Sequence, residues 1–147
     1  MLSISHSLTG ALVATTLHPV LVIPVIFATH YLEDWIPHWD VGTGLSTGKR
    51  KRSTAIVLEF VELGITGALL YWFFQAGQSE VNYAAWLGGF VGLIPDFLEA
   101  PRNFLKWEPK IFKPLNDLHQ AFHHSTPNMM VGLAPQVLLW WIIWWLR

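Results

Sequence analysis

A chain of 147 residues is the size of one domain, here taken as 1–147. Hydrophobic residues make up 52% of it and charged residues 13%, about half the roughly 25% of a soluble domain, and mean hydropathy is positive; this argues against a soluble globule and for an all-α, polytopic integral membrane bundle. A net charge of −1 gives no reason to expect a nucleic-acid partner, and the absence of cysteine removes disulfides, thiolate metal sites and cysteine nucleophiles.

The start, MLSISHSLTG, has no positive n-region and no clear cleavage site follows, so it is not expected to be a removable signal peptide. Residues 5–17 are apolar and helix-like but shorter than the about 20 residues that cross a hydrocarbon core. His18-Pro19 breaks this run. Residues 19–35 form a second apolar run ended by Pro37, and the two predict a helical hairpin or one long kinked span. Residues 53–76 read as a full span with Ser53 as N-cap, followed by a short polar turn at 75–80. Residues 81–98 read as another span, rich in glycine and interrupted by Pro95. A polar connector over 102–114 leads to a short amphipathic helix at 115–124, and 128–146 is the last span. It ends in WWIIWWLR, where tryptophan favours the bilayer interface. The expectation is four to five membrane helices plus one short cytoplasmic amphipathic helix.

Of nine Lys and Arg residues, four fall in KRKR (49–52) and four in the connector, at Arg102, Lys106, Lys110 and Lys113. The positive-inside rule then places both segments and the N-terminus in the cytoplasm, and the 75–80 turn outside. This predicts a multi-pass protein of the cell (inner) membrane. The basic segments serve first as a topology signal and offer a place for anionic lipid headgroups.

On that map the ionisable groups gather at one face. His6 opens the first helix there, and His30 and Asp34 close the second, with His38 and Asp40 just beyond. Glu59 and Glu62 lie in the first turns of the third run, Asp96 and Glu99 at the end of the next, and His119, His123 and His124 on the amphipathic helix. Each charge at membrane depth costs a few kcal/mol, so the grouping calls for a reason. His30/Asp34 and His119/His123 are spaced i, i+4, and Glu59/Glu62 and Asp96/Glu99 i, i+3, so each pair shares a helical face. Bundles hold metals with such pairs drawn from several helices. Imidazole with carboxylate suits Zn first, with Mn or Fe as alternatives. The expected ligands are His6, His30, Asp34, Asp96, His119 and His123. His38, Asp40 and Glu59 read more simply as interfacial groups, His124 as structural and His18 as a turn residue at the far face.

SHSLTGAL at the start, IPHWD after an apolar helix, GLIPD closing another and the late HHS resemble the membrane-bound metal-dependent hydrolases, the LexA-binding inner-membrane hydrolase group and its uncharacterised relatives. The resemblance covers most of the chain through short motifs. It matches His6 to the leading histidine, Asp96 to the PD aspartate, and His123 or His124 to the late histidine. Leu98 stands where the second acid after PD is usual, and there is no HRG segment. The resemblance implies a small helical membrane hydrolase.

Together these features predict metal-assisted hydrolysis at the cytoplasmic headgroup level, on a lipid phosphoester or ester, with Glu62 or Glu99 as general base. No G-x-S-x-G and no Gly-rich phosphate loop points elsewhere. The main alternative is a non-catalytic small subunit of a larger membrane complex, binding haem or pigment through His30 or His6. A lesser one is a histidine-box di-iron oxygenase, on HQAFHH alone. Expected partners are the lipid bilayer, anionic headgroups, and either membrane-complex subunits or further copies of the chain.

Overall fold

A computed structural model describes residues 1–147. The chain is all helical: α1 (Ser3–Thr16), α2 (Pro19–Trp35), α3 (Arg52–Phe74), α4 (Tyr83–Gly92), α5 (Ile94–Ala100), a π-helical turn (Pro101–Leu105), α6 (Lys113–Phe122) and α7 (Met129–Leu146). Pro19 sits in the first turn of α2, where its missing N–H costs nothing, and extended His18 separates α2 from α1. At the other end Pro37 forces Ile36 out of the helical region, and α2 stops.

The run at 81–98 is two helices rather than one span. Pro95 has no N–H to continue the ladder, so α4 ends at Gly92 and α5 starts anew at Ile94. Ten residues of α4 rise about 15 Å, half of a hydrocarbon core. Only α3 and α7 combine the length and apolarity needed to cross a membrane. Their outer faces are apolar and exposed, with Phe60, Val61 and Ile65 on α3 and Val137, Leu138 and Trp141 on α7. The interior is unusually polar, and the fully buried side chains include four histidines as well as Leu8, Ile26 and Ile143.

Helix α1 is central, packed by α4, α3, α2 and α7. Its approach to α4 is a backbone contact. A Cβ on Gly10 would meet the Gly88 carbonyl, and one on Gly92 would meet the His6 carbonyl. Small residues at four-residue spacing let two helices meet this closely. Gln136 of α7 ties the other side: it accepts from Leu2 N at 2.9 Å and donates to Trp39 O at 2.8 Å. Helix α3 turns one row inward, Glu62, Thr66, Leu70 and Phe74, each one i+4 step from the last.

The segment after α2 is not helical, but its backbone is pinned. His38 N donates to His124 O (3.0 Å), Thr126 N to His38 O (2.7 Å) and Trp39 N to Gly132 O (3.2 Å). His124 N donates to Asp34 O at 3.0 Å. These bonds dock the chain after α6 onto the chain after α2 and bring the late histidines to the end of α2.

Candidate metal centre

The buried face of α2 is Ile26, His30, Glu33 and Asp34, a single stripe at helical spacing. Asp34 is fully buried and everything else gathers round it. Its Oδ1 lies 3.2 Å from His6 Nε2 and 3.7 Å from His38 Nε2, and pairs with the Met1 amino group. Its Oδ2 lies 2.7 Å from His119 Nε2 and 3.6 Å from His30 Nε2. Asp96 Oδ1, carried in by α5, is 3.8 Å from His30 Nε2 and 3.5 Å from His119 Nε2. The rings of His6 and His30 stack with centroids 3.8 Å apart.

The histidines are oriented from behind. His30 Nδ1 lies 2.8 Å from Gly92 O, and His38 Nδ1 lies 2.8 Å from Ile36 O. A carbonyl only accepts, so Nδ1 carries the proton in each ring and a neutral ring then presents its Nε2 lone pair. His6 Nδ1 faces Glu33 Oε2 at 2.8 Å and His119 Nδ1 faces Glu99 Oε2 at 3.3 Å; both contacts are at ion-pair distance but out of line for a hydrogen bond. His30 shows the full pattern of a metal-ligating histidine, with its outer nitrogen on a carbonyl and its inner nitrogen free.

Asp34 joins two groups of candidate ligand atoms. Those of His6, His30, Asp34 and Asp96 all lie within 4.8 Å of one another, and so do those of Asp34, His38 and His123. His30 Nε2 is buried and has no hydrogen-bond partner. It presents a lone pair towards two carboxylates, an arrangement of acceptors that a cation would satisfy. The donor set of the first group, two imidazoles and two carboxylates, fits a four-coordinate Zn site and is acceptable to Mn or Fe. The Met1 amino group, 3.0 Å from His6 Nε2, already places a cation at the Oδ1 edge.

The remaining expected residues are placed as follows. His119 is hydrogen-bonded to Asp34 and stands beside the four-residue group. Burial alone would lower its pKa, but that hydrogen bond and the Asp96, Asp34 and Glu99 carboxylates raise it above the ordinary value. α6 ends at Phe122 and His123 is extended, yet its ring still stands beside that of His119, centroids 5.6 Å apart, and meets His38, Nε2 to Nε2 at 3.1 Å. Burial drives the His123 pKa down to about 4, and the ring is neutral near pH 7. Glu62 Oε1 accepts from Ile4 N at 3.3 Å, at the start of α1, and Glu59 Oε1 accepts from Ser3 Oγ at 3.2 Å; both thus cap α1 from α3. Glu99 pairs with Arg102 as well as facing His119. His18 is exposed at the far end, and His124 is exposed.

His38 and Asp40, expected as interfacial groups, are both buried in the centre. Asp40 Oδ2 lies 3.5 Å from each of His38 Nε2 and His123 Nε2. Burial would raise its pKa, but His38 and His123 hold it below the ordinary value. Glu33, behind His6, was also unremarked. The available signal was the four-residue step from Asp34 to His38, which Pro37 obscured by ending the helix.

A cleft of about 970 Å³ opens beside this centre. Asp96, Asp40 and His123 form part of its wall, with Arg50, Arg52 and Arg102 nearby, and Phe60, Phe97 and Leu105 supply apolar surface. No family model, no curated protein and no solved structure matches this chain.

Proposed function

We propose that the protein is a multi-pass membrane metal-dependent hydrolase whose site lies at the cytoplasmic headgroup level and cleaves a phosphoester or ester of an amphiphile. The observation that carries this reading is His30 Nε2, buried, unpartnered and facing Asp34 and Asp96, beside a cleft with cationic and apolar walls. His6, His30, Asp34 and Asp96 would hold the ion, Zn before Mn or Fe. A divalent ion there would supply Lewis-acid polarisation of a phosphoryl or carbonyl oxygen.

The chain's own groups divide the remaining work. Arg50, Arg52 and Arg102 on the cleft wall attract an anionic headgroup, and guanidinium suits phosphate through paired donors. Phe60, Phe97 and Leu105 take the apolar part of the substrate and exclude water from it. His119 holds a proton at Nε2 against Asp34, and the Glu99 carboxylate 3.3 Å from its Nδ1 favours the protonated ring. Of the two glutamates considered as general base, Glu62 has the structural task of holding α1, and hence His6, in place.

Membrane location is supported by the apolar outer faces of α3 and α7, and orientation by the basic clusters at 49–52 and 102–113. The same short motifs that resemble the membrane-bound metal-dependent hydrolases, IPHWD and GLIPD, carry His38, Asp40 and Asp96.

The test is metal analysis of protein purified in detergent without chelator, followed by hydrolysis assays on phosphoester and carboxylic-ester lipids. Bound zinc, lipid cleavage, and loss of both in His30→Ala are expected. A protein that binds no divalent metal, or one that is loaded and cleaves neither lipid class, would remove the hydrolase reading. Haem absorbance on the purified protein would favour a subunit of a larger complex instead.

A further inference from the structure

We infer that the centre takes two metal ions, with Asp34 as the bridging carboxylate and His38, His123 and Asp40 as the ligands of the second. The inference rests on the reading of His6, His30, Asp34 and Asp96 as the first ion site.

The argument starts from the shape of Asp34's surroundings. One carboxylate has imidazole nitrogens at both oxygens: His30 and His119 towards Oδ2, and His6 and His38 towards Oδ1. A single ion cannot use all of these. The second group of ligand atoms, Asp34, His38 and His123, shares only Asp34 with the first. Asp40 Oδ2 is the natural completion, 3.5 Å from both ring nitrogens.

One observation independent of this grouping points to a cation. Asp40 Oδ2 is buried and has no hydrogen-bond partner, as His30 Nε2 has none on the other side. An unpaired buried carboxylate oxygen is costly and needs a cation or donor. His38 does not supply that donor as a neutral ring, because its Nδ1 proton is committed to Ile36 O. Its Nε2 lone pair faces His123 Nε2, its hydrogen-bond partner at 3.1 Å, and lies 3.5 Å from Asp40 Oδ2 and 3.7 Å from Asp34 Oδ1. Two imidazole nitrogens and two carboxylates, held in place, again make a four-ligand set of the kind zinc accepts.

The pinned backbone gives this group rigidity although it lies outside the helices. His38 is held on both its N–H and its carbonyl by the 124–126 segment, and Asp40 N donates to Thr43 Oγ1 at 3.2 Å. Asp40 and His123 also line the cleft, so an ion there is open to substrate. Two-ion hydrolytic centres clamp the attacking and leaving oxygens of a phosphoester from both sides, and phosphoesters are thereby the favoured class within the proposed function.

The experiment is metal stoichiometry on chain purified in detergent and loaded with Zn²⁺. Wild type is expected to hold two ions per chain. His38→Ala and Asp40→Asn should each hold one, His6→Ala should hold one, and Asp34→Asn none. A wild type holding one ion, or two ions that survive loss of His38 and Asp40 together, would overturn the second site while leaving the hydrolase reading intact. A wild type holding none would remove both. Should the variants fail to fold, Mn²⁺-loaded wild type decides by electron paramagnetic resonance. A spin-coupled pair supports the bridge, and isolated six-line spectra at full loading reject it.

Discussion

The two halves of the ligand cluster are built differently. His6, His30, Asp34 and Asp96 stand on helices, and their positions follow from the packing of α1, α2 and α5. His38, Asp40 and His123 stand on extended chain held by cross-segment hydrogen bonds, His38 N to His124 O and Thr126 N to His38 O. A helix places a ligand by periodicity; the loop half needs a partner segment nearly ninety positions away in sequence to become a site at all. Asp34 belongs to both halves.

That shared residue gives the largest expected effect. Asp34→Asn keeps the shape but removes a charge from both halves at once. Metal affinity should fall by more than about 100-fold, beyond the 10–100-fold typical of outer partners. His18→Ala, at the far end, should leave metal binding unchanged. Calorimetric titration of both variants checks this; a comparable loss at His18 would mean that general misfolding, not ligation, governs the result.

A matched pair of glycine variants separates the halves by their packing. In Gly92→Ala the new Cβ would meet the His6 carbonyl and force α1 off α4. In Gly132→Ala it would meet Trp39 N and the His38 carbonyl carbon. Each meets rigid backbone, so each should cost about 3 kcal/mol, the upper part of the overpacking range. The consequence for ligation should be opposite: Gly92→Ala should weaken ion binding at His6 and His30, and Gly132→Ala at the proposed second site of His38 and Asp40. Thermal unfolding and stepwise metal titration read both quantities, and a loss confined to the same half in both variants would contradict the division.

How far the sequence revealed these halves follows from the same distinction. His30 and Asp34 were visible because i, i+4 on an apolar helix is a pattern one segment can carry, and His6 and Asp96 because they sit at the ends of apolar runs. The loop half had no such period. Pro37 ends the helix between Asp34 and His38, and although the spacing of His119 and His123 does bring their rings together, nothing in it points to His38 as the next neighbour. Pro95 is legible as an interruption, yet its result, a new helix with Asp96 in its first turn, depends on packing. The approach of Gly10 to Gly88 is a tertiary fact: glycines in 81–98 were legible, their partner was not.

Protons should separate the halves in metal-free protein. His119, beside the helix half, has a raised pKa. Its contribution to stability is fully present below its ordinary value of 6.5 and is lost as pH climbs through the raised one. His123, in the loop half, has its pKa lowered to about 4, so the unfolded chain takes up a proton first and stability is lost as pH falls from 6.5 towards 4. The difference in unfolding temperature between wild type and His119→Gln should therefore change above pH 6.5, and that for His123→Gln below it. The two variants are compared after chelation across the range; coincident windows would refute the assignment.

Arg102 provides the smallest and most local comparison. Its guanidinium pairs with Glu99, whose other oxygen faces His119 Nδ1 at 3.3 Å, and His119 Nε2 is bonded to Asp34 Oδ2 at 2.7 Å. Three contacts thus run from the cleft wall to the helix half, and no corresponding contact runs from Arg102 to His38, Asp40 or His123. The Arg102 side chain is 22% exposed, so water screens the pair and its removal should cost only about 0–1 kcal/mol of stability. Without it Glu99 is free to turn away, and His119 loses a carboxylate charge beside its Nδ1. Arg102→Ala should then weaken ion binding at His6, His30, Asp34 and Asp96 by less than about 10-fold, at the low edge of outer-partner effects, and leave the second binding step unchanged. Glu99→Gln, which keeps the size but not the charge, should reproduce the shift if Arg102 acts through Glu99. A shift in Arg102→Ala that Glu99→Gln fails to reproduce would place Arg102's influence elsewhere, in the field of the cleft wall itself.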